Sequence, residues 1–197
     1  KRVAAPGTTI SIAGRDTTVN LKRGSAISAG VYPAWHPTEN LIAFSTNKTH
    51  QMFHTQNINK VEVFDTESDL ILYDADADSV TAIAQTSSAL ETFPTWSHDG
   101  KYLYYCQSDI LPGTFDGDNI RNYKQIKYDI MRLAFDASSK TFSSTPDTIY
   151  RASADGKSCT LPRVSPDGSK IIFSEGEYGC FHIWHPEADI VILDLKT

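Results

Sequence analysis

Residues 161–174 read LPRVSPDGSKIIFS, and this stretch decides the fold because the chain repeats its pattern. The same pattern appears as YPAWHPTENLIAFS at residues 32–45 and as FPTWSHDGKYLYYC at residues 93–106, and the three copies align without gaps. A second element follows each copy, as SDLILYD at residues 68–74, YDIMRLAFD at residues 128–136 and ADIVILD at residues 188–194. Two elements in a fixed order, three times over, indicate a tandem array of one structural unit.

Each copy is typical of two strands joined by a tight turn. Ser165-Pro166-Asp167-Gly168 supplies a proline that presets φ, an aspartate that bonds its own backbone and a glycine that accepts the left-handed conformation. The second copy keeps Asp99-Gly100, whereas the first has Glu39 where the glycine belongs, so its turn is predicted to be distorted. The apolar run after each turn, such as residues 41–44, is typical of a strand that is buried on both faces.

The second element supplies a third strand in each repeat, and a weaker fourth strand is predicted at residues 80–84 and 147–150. We therefore predict an all-β fold, a β-propeller fragment of about three four-stranded blades with one or two strands of a preceding blade at the N-terminus. The predicted domain boundaries are a strand remnant at 1–30, blade 1 at 31–91, blade 2 at 92–158 and an incomplete blade 3 at 159–197.

The repeats are longer than propeller blades of the WD type, and the excess lies between the second and third strands. It occupies residues 46–68, 107–128 and 175–188. In a propeller, all connections of this kind emerge on one face of the disc. Because binding residues collect on long loops that a rigid scaffold carries, the sequence predicts an enlarged binding face there.

Composition excludes several classes of function. The chain has 197 residues, with 18 basic and 24 acidic side chains, so its net charge of −6 argues against nucleic acid or an anionic membrane as a partner. Its longest apolar runs fall far short of the ~20 residues that span a bilayer. The chain begins at Lys1 without a leader pattern, and we expect a mature or trimmed product.

The cysteines do not indicate a metal site or a haem site. Cys106, Cys159 and Cys180 have no metal or haem spacing, and they leave one disulfide of unknown pairing open.

The repeat, Pro-x-Trp-Ser-Pro-Asp-Gly-Lys-x-Ile-x-Phe followed by Asp and alternating apolar residues, resembles that of TolB-type β-propellers. The resemblance covers residues 32–197. It implies a periplasmic or cell-envelope location in bacteria and a non-enzymatic role as a protein-interaction or ligand-binding scaffold, with no cofactor. Three blades do not close a ring, so self-association that completes the propeller is a further expectation beside a protein partner. Residues 1–30 are too short for the separate N-terminal domain on which the TolB helper function depends.

Two other functions remain open at this stage. In the first, the chain is the propeller portion of a larger peptidase or carbohydrate-active enzyme. In the second, it is an accessory factor in cytochrome c biogenesis. The chain contains no G-x-S-x-G nucleophile elbow and no CxxCH haem-attachment segment, so neither function is favoured over the scaffold.

The third insertion carries the predicted binding residues, because large aromatic side chains are unusual in loops and dominate interface hot spots. The alternative is that Phe181, Ile183 and Trp184 alternate into the blade core as an extended strand. The predicted binding residues of the first and third insertions are Met52, Phe53, His54, Tyr178, Phe181, His182, Trp184 and His185.

No metal site is favoured by the sequence. The histidines of the first and third insertions are expected to stay apart, because a whole blade separates those repeats. Asp74-Ala75-Asp76-Ala77-Asp78 lacks the glycine and glutamate of a calcium loop and is predicted to be a hairpin tip. Asp116 and Asp118, on the second insertion, are weak calcium candidates.

Overall fold

The computed structural model describes the chain from residue 8 to residue 196 with several gaps. The described residues are 8–12, 15–19, 22–23, 26–27, 29–47, 52–57, 60–65, 68–84, 88–110, 115–116, 119–120 and 122–196. They form antiparallel sheets that follow one another along the chain, and this confirms the all-β fold class. Within these ranges, no helix is long and apolar enough to cross a membrane.

The described residues of the N-terminal region form two small hairpins. In the first hairpin, β1 (Thr8–Ile12) pairs with β2 (Arg15–Val19), and in the second, β3 (Lys22–Arg23) pairs with β4 (Ala26–Ile27). The prediction that residues 1–30 are the remnant of a preceding blade stays a prediction.

Blade 1 is a four-stranded antiparallel meander, with its second and third strands at the centre of the sheet. A separate hairpin interrupts it between those two strands. In chain order, the strands of the blade and its hairpin are β5 (Ala29–Trp35), β6 (Leu41–Asn47), β7 (Met52–Asn57), β8 (Lys60–Phe64), β9 (Ser68–Asp74) and β10 (Ser79–Ala84). The connection from β9 to β10 is the predicted hairpin tip, in which the Asp74 carboxylate accepts hydrogen bonds from the backbone of Asp76 and Ala77.

Blade 2 repeats the meander, and its third strand pairs with a fourth strand as the sequence predicts. Its strands and inserted elements are β11 (Ala89–Trp96), β12 (Tyr102–Asp109), β13 (Phe115–Asp116), β14 (Asn119–Ile120), a 3-10 turn at Tyr123–Gln125, β15 (Asp129–Asp136), β16 (Thr141–Phe142) and β17 (Asp147–Tyr150).

Blade 3 has three strands, β18 (Ser158–Val164), β19 (Lys170–Gly176) and β20 (Asp189–Asp194). A 3-10 turn at Ala152–Asp155 leads into it, and another at His182–Trp184 lies in its insertion. Because β19 pairs with both of its neighbours, β20 forms the outer edge of this sheet within the described residues.

Neighbouring blades pack face to face through large apolar side chains, which is the packing that a propeller requires. The first core joins blades 1 and 2 through Leu41, Ala43, Leu70, Leu72, Trp96, Leu103, Tyr105, Leu133 and Phe135. The second core joins blades 2 and 3 through Tyr104, Ile130, Ala152, Cys159, Ile171 and Phe173.

The turn between the first and second strands follows the repeat in blades 2 and 3 and departs from it in blade 1. Gly100 and Gly168 have φ of +71° and +70°, as the turn motif predicts. In blade 1, the His36 ring nitrogen Nδ1 accepts a hydrogen bond of 3.0 Å from the Glu39 backbone N–H. Its Nε2 therefore carries the proton and donates to the Gly100 carbonyl oxygen of blade 2, at 3.0 Å. The distorted turn thus joins two blades.

A backbone irregularity recurs at one position of all three innermost strands. Tyr32, Phe93 and Leu161 have φ of +52°, +53° and +56°, in the left-handed region that residues other than glycine rarely adopt. Each immediately precedes the repeat's proline and lies within a register shift of its strand pair. The three copies therefore share a β-bulge, which turns the side chains on the inner edge of each blade.

Candidate functional site

The three insertions meet on one face of the blades, which we call the insertion face and define by residues 60–65, 122–128 and 177–188. One buried cluster holds them together and contains side chains from every insertion. Its members are Phe64 from the first, Ile126 and Tyr128 from the second, and Tyr178 and Cys180 from the third, packed on Leu90, Phe93 and Cys106 of blade 2. The loops therefore form a supported layer with its own core.

A buried carboxylate joins the first insertion to the third. The Tyr178 hydroxyl donates a hydrogen bond of 2.5 Å to Glu62 Oε1. His185 Nε2 lies 3.3 Å from the same oxygen, and the His185 and Glu62 side chains are both 3% exposed. In a buried environment of low dielectric constant, hydrogen bonds to a carboxylate are stronger than those between neutral groups.

His182 lies beside this network in a neutral form. Its Nε2 is 3.3 Å from the Gly179 carbonyl oxygen, which accepts only, so Nε2 carries the proton. Its Nδ1 then accepts from the Ser174 hydroxyl at 3.1 Å. Burial, and to a smaller extent the nearby His185 ring, lower the pKa of His182 from 6.5 to about 4.

Gly179 allows the third insertion to approach the other two closely. Its φ is +72°, and a Cβ added there would lie 3.2 Å from the Phe64 ring of the first insertion. Its backbone N–H donates to the Ile126 carbonyl oxygen of the second insertion at 2.9 Å. Its own carbonyl oxygen also accepts a bond of 2.7 Å from the Ser158 hydroxyl on β18.

The predicted binding residues of the third insertion are mostly directed inward. As whole residues, backbone included, Tyr178, His182 and His185 are 3%, 6% and 7% exposed, and Phe181 is half-buried. The alternative of a strand that alternates into the blade core is wrong, because His182–Trp184 form a 3-10 turn and Ile183 is 82% exposed. Among the described side chains of this turn, Ile183 is the one directed outward, and the sequence did not single it out as a binding residue.

The first and third insertions are in contact, which corrects the expectation that a whole blade keeps them apart. Sequence reasoning also missed Glu62, and the one signal for it was an acidic residue between Val61 and Val63. Met52, Phe53 and His54 lie on β7, where His54 is opposite Glu62 in the register, and their side chains lie outside the described residues.

The remaining site predictions concern Trp184, the calcium candidates and the cysteines. The side chain of Trp184 is outside the description, as are the Asp116 side chain and Asp118. Within the described residues, no group of three or more histidine, cysteine or acidic side chains could hold a metal ion. The three cysteines are free thiols and are buried, so none of them forms the disulfide that the sequence left open.

A second concave surface runs along the inner edge of the blades. It is a cleft of approximately 480 Å³ between β5 and β11, and its lining includes Trp35, Trp96, Arg163 and the bulge residues Tyr32 and Phe93. The Trp35 side chain is 57% exposed.

These sheets, their packing and the shared bulge define the class: an all-β protein with a TolB-like β-propeller fold. The chain is similar to a solved structure described as TolB from Agrobacterium tumefaciens, with a TM-score of 0.54 and 14% identity over 96% of this chain and 57% of that one. The chain therefore spans little more than half of that protein, and at this identity the likeness shows the fold alone.

Two peptidases are weaker structural neighbours. Prolyl oligopeptidase B from Galerina marginata has a TM-score of 0.47 and 11% identity over 84% of this chain and 19% of that one. Acylaminoacyl peptidase from Pyrococcus horikoshii has a TM-score of 0.32 and 11% identity over 85% of this chain and 32% of that one. No family model and no curated protein matches the sequence.

Proposed function

We propose that the chain is a non-enzymatic propeller scaffold that binds a protein partner on its insertion face, in a bacterial cell envelope. The observation that carries the proposal is the shared core of the three insertions. Long loops without a shared core would have to become ordered when a partner binds, and this ordering would cost free energy. Here Tyr178 and Glu62 join two insertions, and Gly179 joins the third to the second, so the face is already ordered.

The centre of the proposed contact is Ile183, which projects into solvent from the 3-10 turn. His182 and His185 flank it in the sequence, and both are buried, with contacts to Ser174 and Glu62 respectively. An exposed apolar side chain on an already ordered support can be buried by a partner at little further cost in conformational entropy. Half-buried Phe181 adds apolar surface beside it. Met52, Phe53, His54 and Trp184 are the other residues that we expect to contribute.

Photo-crosslinking tests this function. A photoreactive phenylalanine analogue replaces Ile183 in one version of the chain and Lys101 in a control version. Lys101 lies on the turn between the first two strands of blade 2, and its side chain is 73% exposed. We expect position 183 to give a crosslinked protein from the envelope fraction of the source bacterium, and excess unlabelled parent chain to compete for it.

The Ile183→Asp variant should fail to compete while its melting temperature stays that of the parent, because the replaced side chain lies in solvent. Equal crosslinking from positions 183 and 101, or equal competition by the Asp variant, would contradict the proposed face. A partner found in the cytosolic fraction instead would contradict the envelope location.

A further inference from the structure

A groove separates the outer strand of blade 1 from blade 2. We call it the interblade groove and define it by residues 81–83 of β10 on one side and residues 141–144 of blade 2 on the other. It has a volume of approximately 450 Å³, and ligand pockets have roughly 300–1,000 Å³. Leu133 of the core between the two blades also lines it, and Ile83 and Phe142 pack against that core. The groove therefore has an apolar lining that is continuous with the blade core.

The strand β10 on one side of the groove offers an edge to which another strand can pair. Within the part of the chain that the structure describes, β10 pairs with β9 alone. Its sequence, SVTAIA, contains no charged residue and no proline, which are the residues that usually guard an exposed edge. In blade 2, by contrast, the outer strand β17 follows Pro146 and begins with Asp147, whose carboxylate pairs with Arg132 at 2.7 Å. The edge of blade 2 is thus guarded, whereas that of blade 1 is open.

A strand added to β10 would place side chains over the groove. The regular part of β10 is residues 79–82, because the register shifts between Ala82 and Ala84. Thr81 lies on the side that faces blade 2, since it is opposite Leu72, which belongs to the core between the blades. Every second side chain of an added strand points to this same side. Main-chain hydrogen bonds to β10 would then combine with a side-chain pocket, which is how peptides bind by strand addition.

The charges near the groove favour a basic ligand. Lys140, in the lining, pairs with Asp74 of the hairpin tip of blade 1. This hydrogen bond raises the pKa of Lys140, and the charges of Asp76 and Glu39 raise it further. The carboxylates of Asp76 and Glu39 accept hydrogen bonds from neutral side chains. The other charged residue of the lining, Glu91, is also acidic and has 0% exposure. One ammonium group is thus near three exposed or half-buried carboxylates, and this surplus of negative charge attracts a cation.

We propose that the interblade groove binds an extended peptide segment of a partner protein, which adds to β10 as a further strand, places an apolar side chain in the groove and carries lysine or arginine beside it. The groove shares no residue with the insertion face. It is therefore a second contact site, independent of the one proposed above.

Fluorescence anisotropy of the full chain with a labelled hexapeptide of alternating valine and lysine tests the proposal. The matched probe has glutamate in place of lysine. We expect the lysine peptide to bind at least about tenfold more tightly, because the acidic surroundings repel glutamate, and the difference should narrow at high salt. No binding of the lysine peptide at a millimolar chain concentration would overturn the proposal, and equal binding of the two peptides would overturn its charge preference.

Hydrogen exchange of the complex tests strand addition. We expect the lysine peptide to slow the exchange of backbone amides within residues 79–82, because a pairing strand takes up N–H groups of the edge. The amides of β17, the guarded outer strand of blade 2, are the control and should exchange as before. A bound peptide that leaves residues 79–82 unprotected would overturn the addition to β10.

Substitutions at Thr81 test the groove itself, because this side chain is exposed and its replacement should preserve the fold. Thr81→Lys should weaken the lysine peptide at least about tenfold, and Thr81→Glu should strengthen it. Ile192→Lys is the matched control, since it adds the same charge to a strand position of blade 3 that is 63% exposed. It should leave binding unchanged. Circular dichroism checks that each variant is folded.

A folded Thr81→Lys variant that binds the lysine peptide as the parent does would overturn the assignment to this groove, as would an equal loss of binding in Ile192→Lys. None of these outcomes bears on the crosslinking from position 183, so the two proposals fail separately.

Discussion

Tyr178 and Glu62 lie 116 positions apart in the chain, and the hydroxyl of one donates a hydrogen bond of 2.5 Å to the carboxylate of the other. The bond is buried, and it joins the insertion of blade 3 to that of blade 1. Since blade 2 lies between those two blades, the contact passes over the insertion side of blade 2. The insertion face is consequently a structural unit of its own and not a set of independent loops.

Removal of this bond should measurably weaken the fold. We expect Tyr178→Phe to lower the free energy of unfolding by about 1–3 kcal/mol, because a buried acceptor loses a hydrogen-bond donor. Urea unfolding measures the change, and Lys101→Ala, at an exposed position, is the control that should stay within about 0.5 kcal/mol of the parent. A Phe variant as stable as the parent would show that the bond contributes nothing.

Stability should fall with acidification in a window that His182 sets. Its pKa is about 4 in the folded chain against 6.5 for the ordinary group, so the unfolded state binds the additional proton. The stabilising contribution is complete above pH 6.5 and is lost as the pH falls toward 4, up to about 3 kcal/mol.

Urea unfolding at a series of pH values measures this dependence. His182→Gln should flatten the curve between pH 6.5 and 4, whereas His98→Gln, at an exposed histidine, controls for the loss of an imidazole. If the His182→Gln variant kept the full slope of the parent, the dependence would have to come from another group.

Gly100 and Gly168 occupy the same turn position in successive repeats, and they should respond differently to alanine. Both have left-handed φ, so each substitution costs about 1–2 kcal/mol of backbone strain. At Gly168 the nearest atom is 3.8 Å from the added Cβ, but at Gly100 the His36 ring is 2.4 Å away. Gly100→Ala should therefore cost about 1–3 kcal/mol more, as overpacking does.

Thermal and urea unfolding of both alanine variants measure this difference. In a His36→Ala background, which already lacks the ring and its hydrogen bonds, Gly100→Ala should cost only as much as Gly168→Ala costs in the parent chain. Equal destabilisation by the two glycine substitutions would mean that the ring moves away freely.

The thiols should be unreactive in the folded chain. Cys106, Cys159 and Cys180 are buried, and burial raises the pKa of each thiol, so little thiolate is present near neutral pH. We expect a chromogenic disulfide reagent to detect no fast thiol in the native chain and all three after denaturation. A fast reaction of one thiol before unfolding would place it near the surface.

The blades could be predicted from the sequence because their signals are local. The Ser-Pro-Asp-Gly turn and the apolar run after it identify a strand pair without reference to any other repeat. Where a strand ended was less apparent: β6 continues beyond the apolar run at 41–44 to Asn47. The continuation holds because polar side chains there find buried partners, as when Ser45 Oγ donates to Thr92 Oγ1 of blade 2 at 3.0 Å.

The insertion face could be predicted in position but not in detail. The direction of each side chain depends on residues far away in the chain, as Glu62 illustrates. An acidic residue between two valines is typical of an exposed strand position, and Glu62 is buried only because Tyr178 and His185 reach it from the third insertion. Local patterns carry no information about such a contact.

The imidazole of His36 has a consequence for how this chain can vary in evolution. It stands where the other two repeats have Ser97 and Ser165, and it fills the space beside Gly100 that a side chain would need. Positions 36 and 100 should therefore covary among relatives: a histidine at the first should accompany a glycine at the second, and a smaller residue at the first should tolerate other residues there. The blades of this chain are accordingly not interchangeable, and a transplanted blade 1 would require a glycine turn next to it.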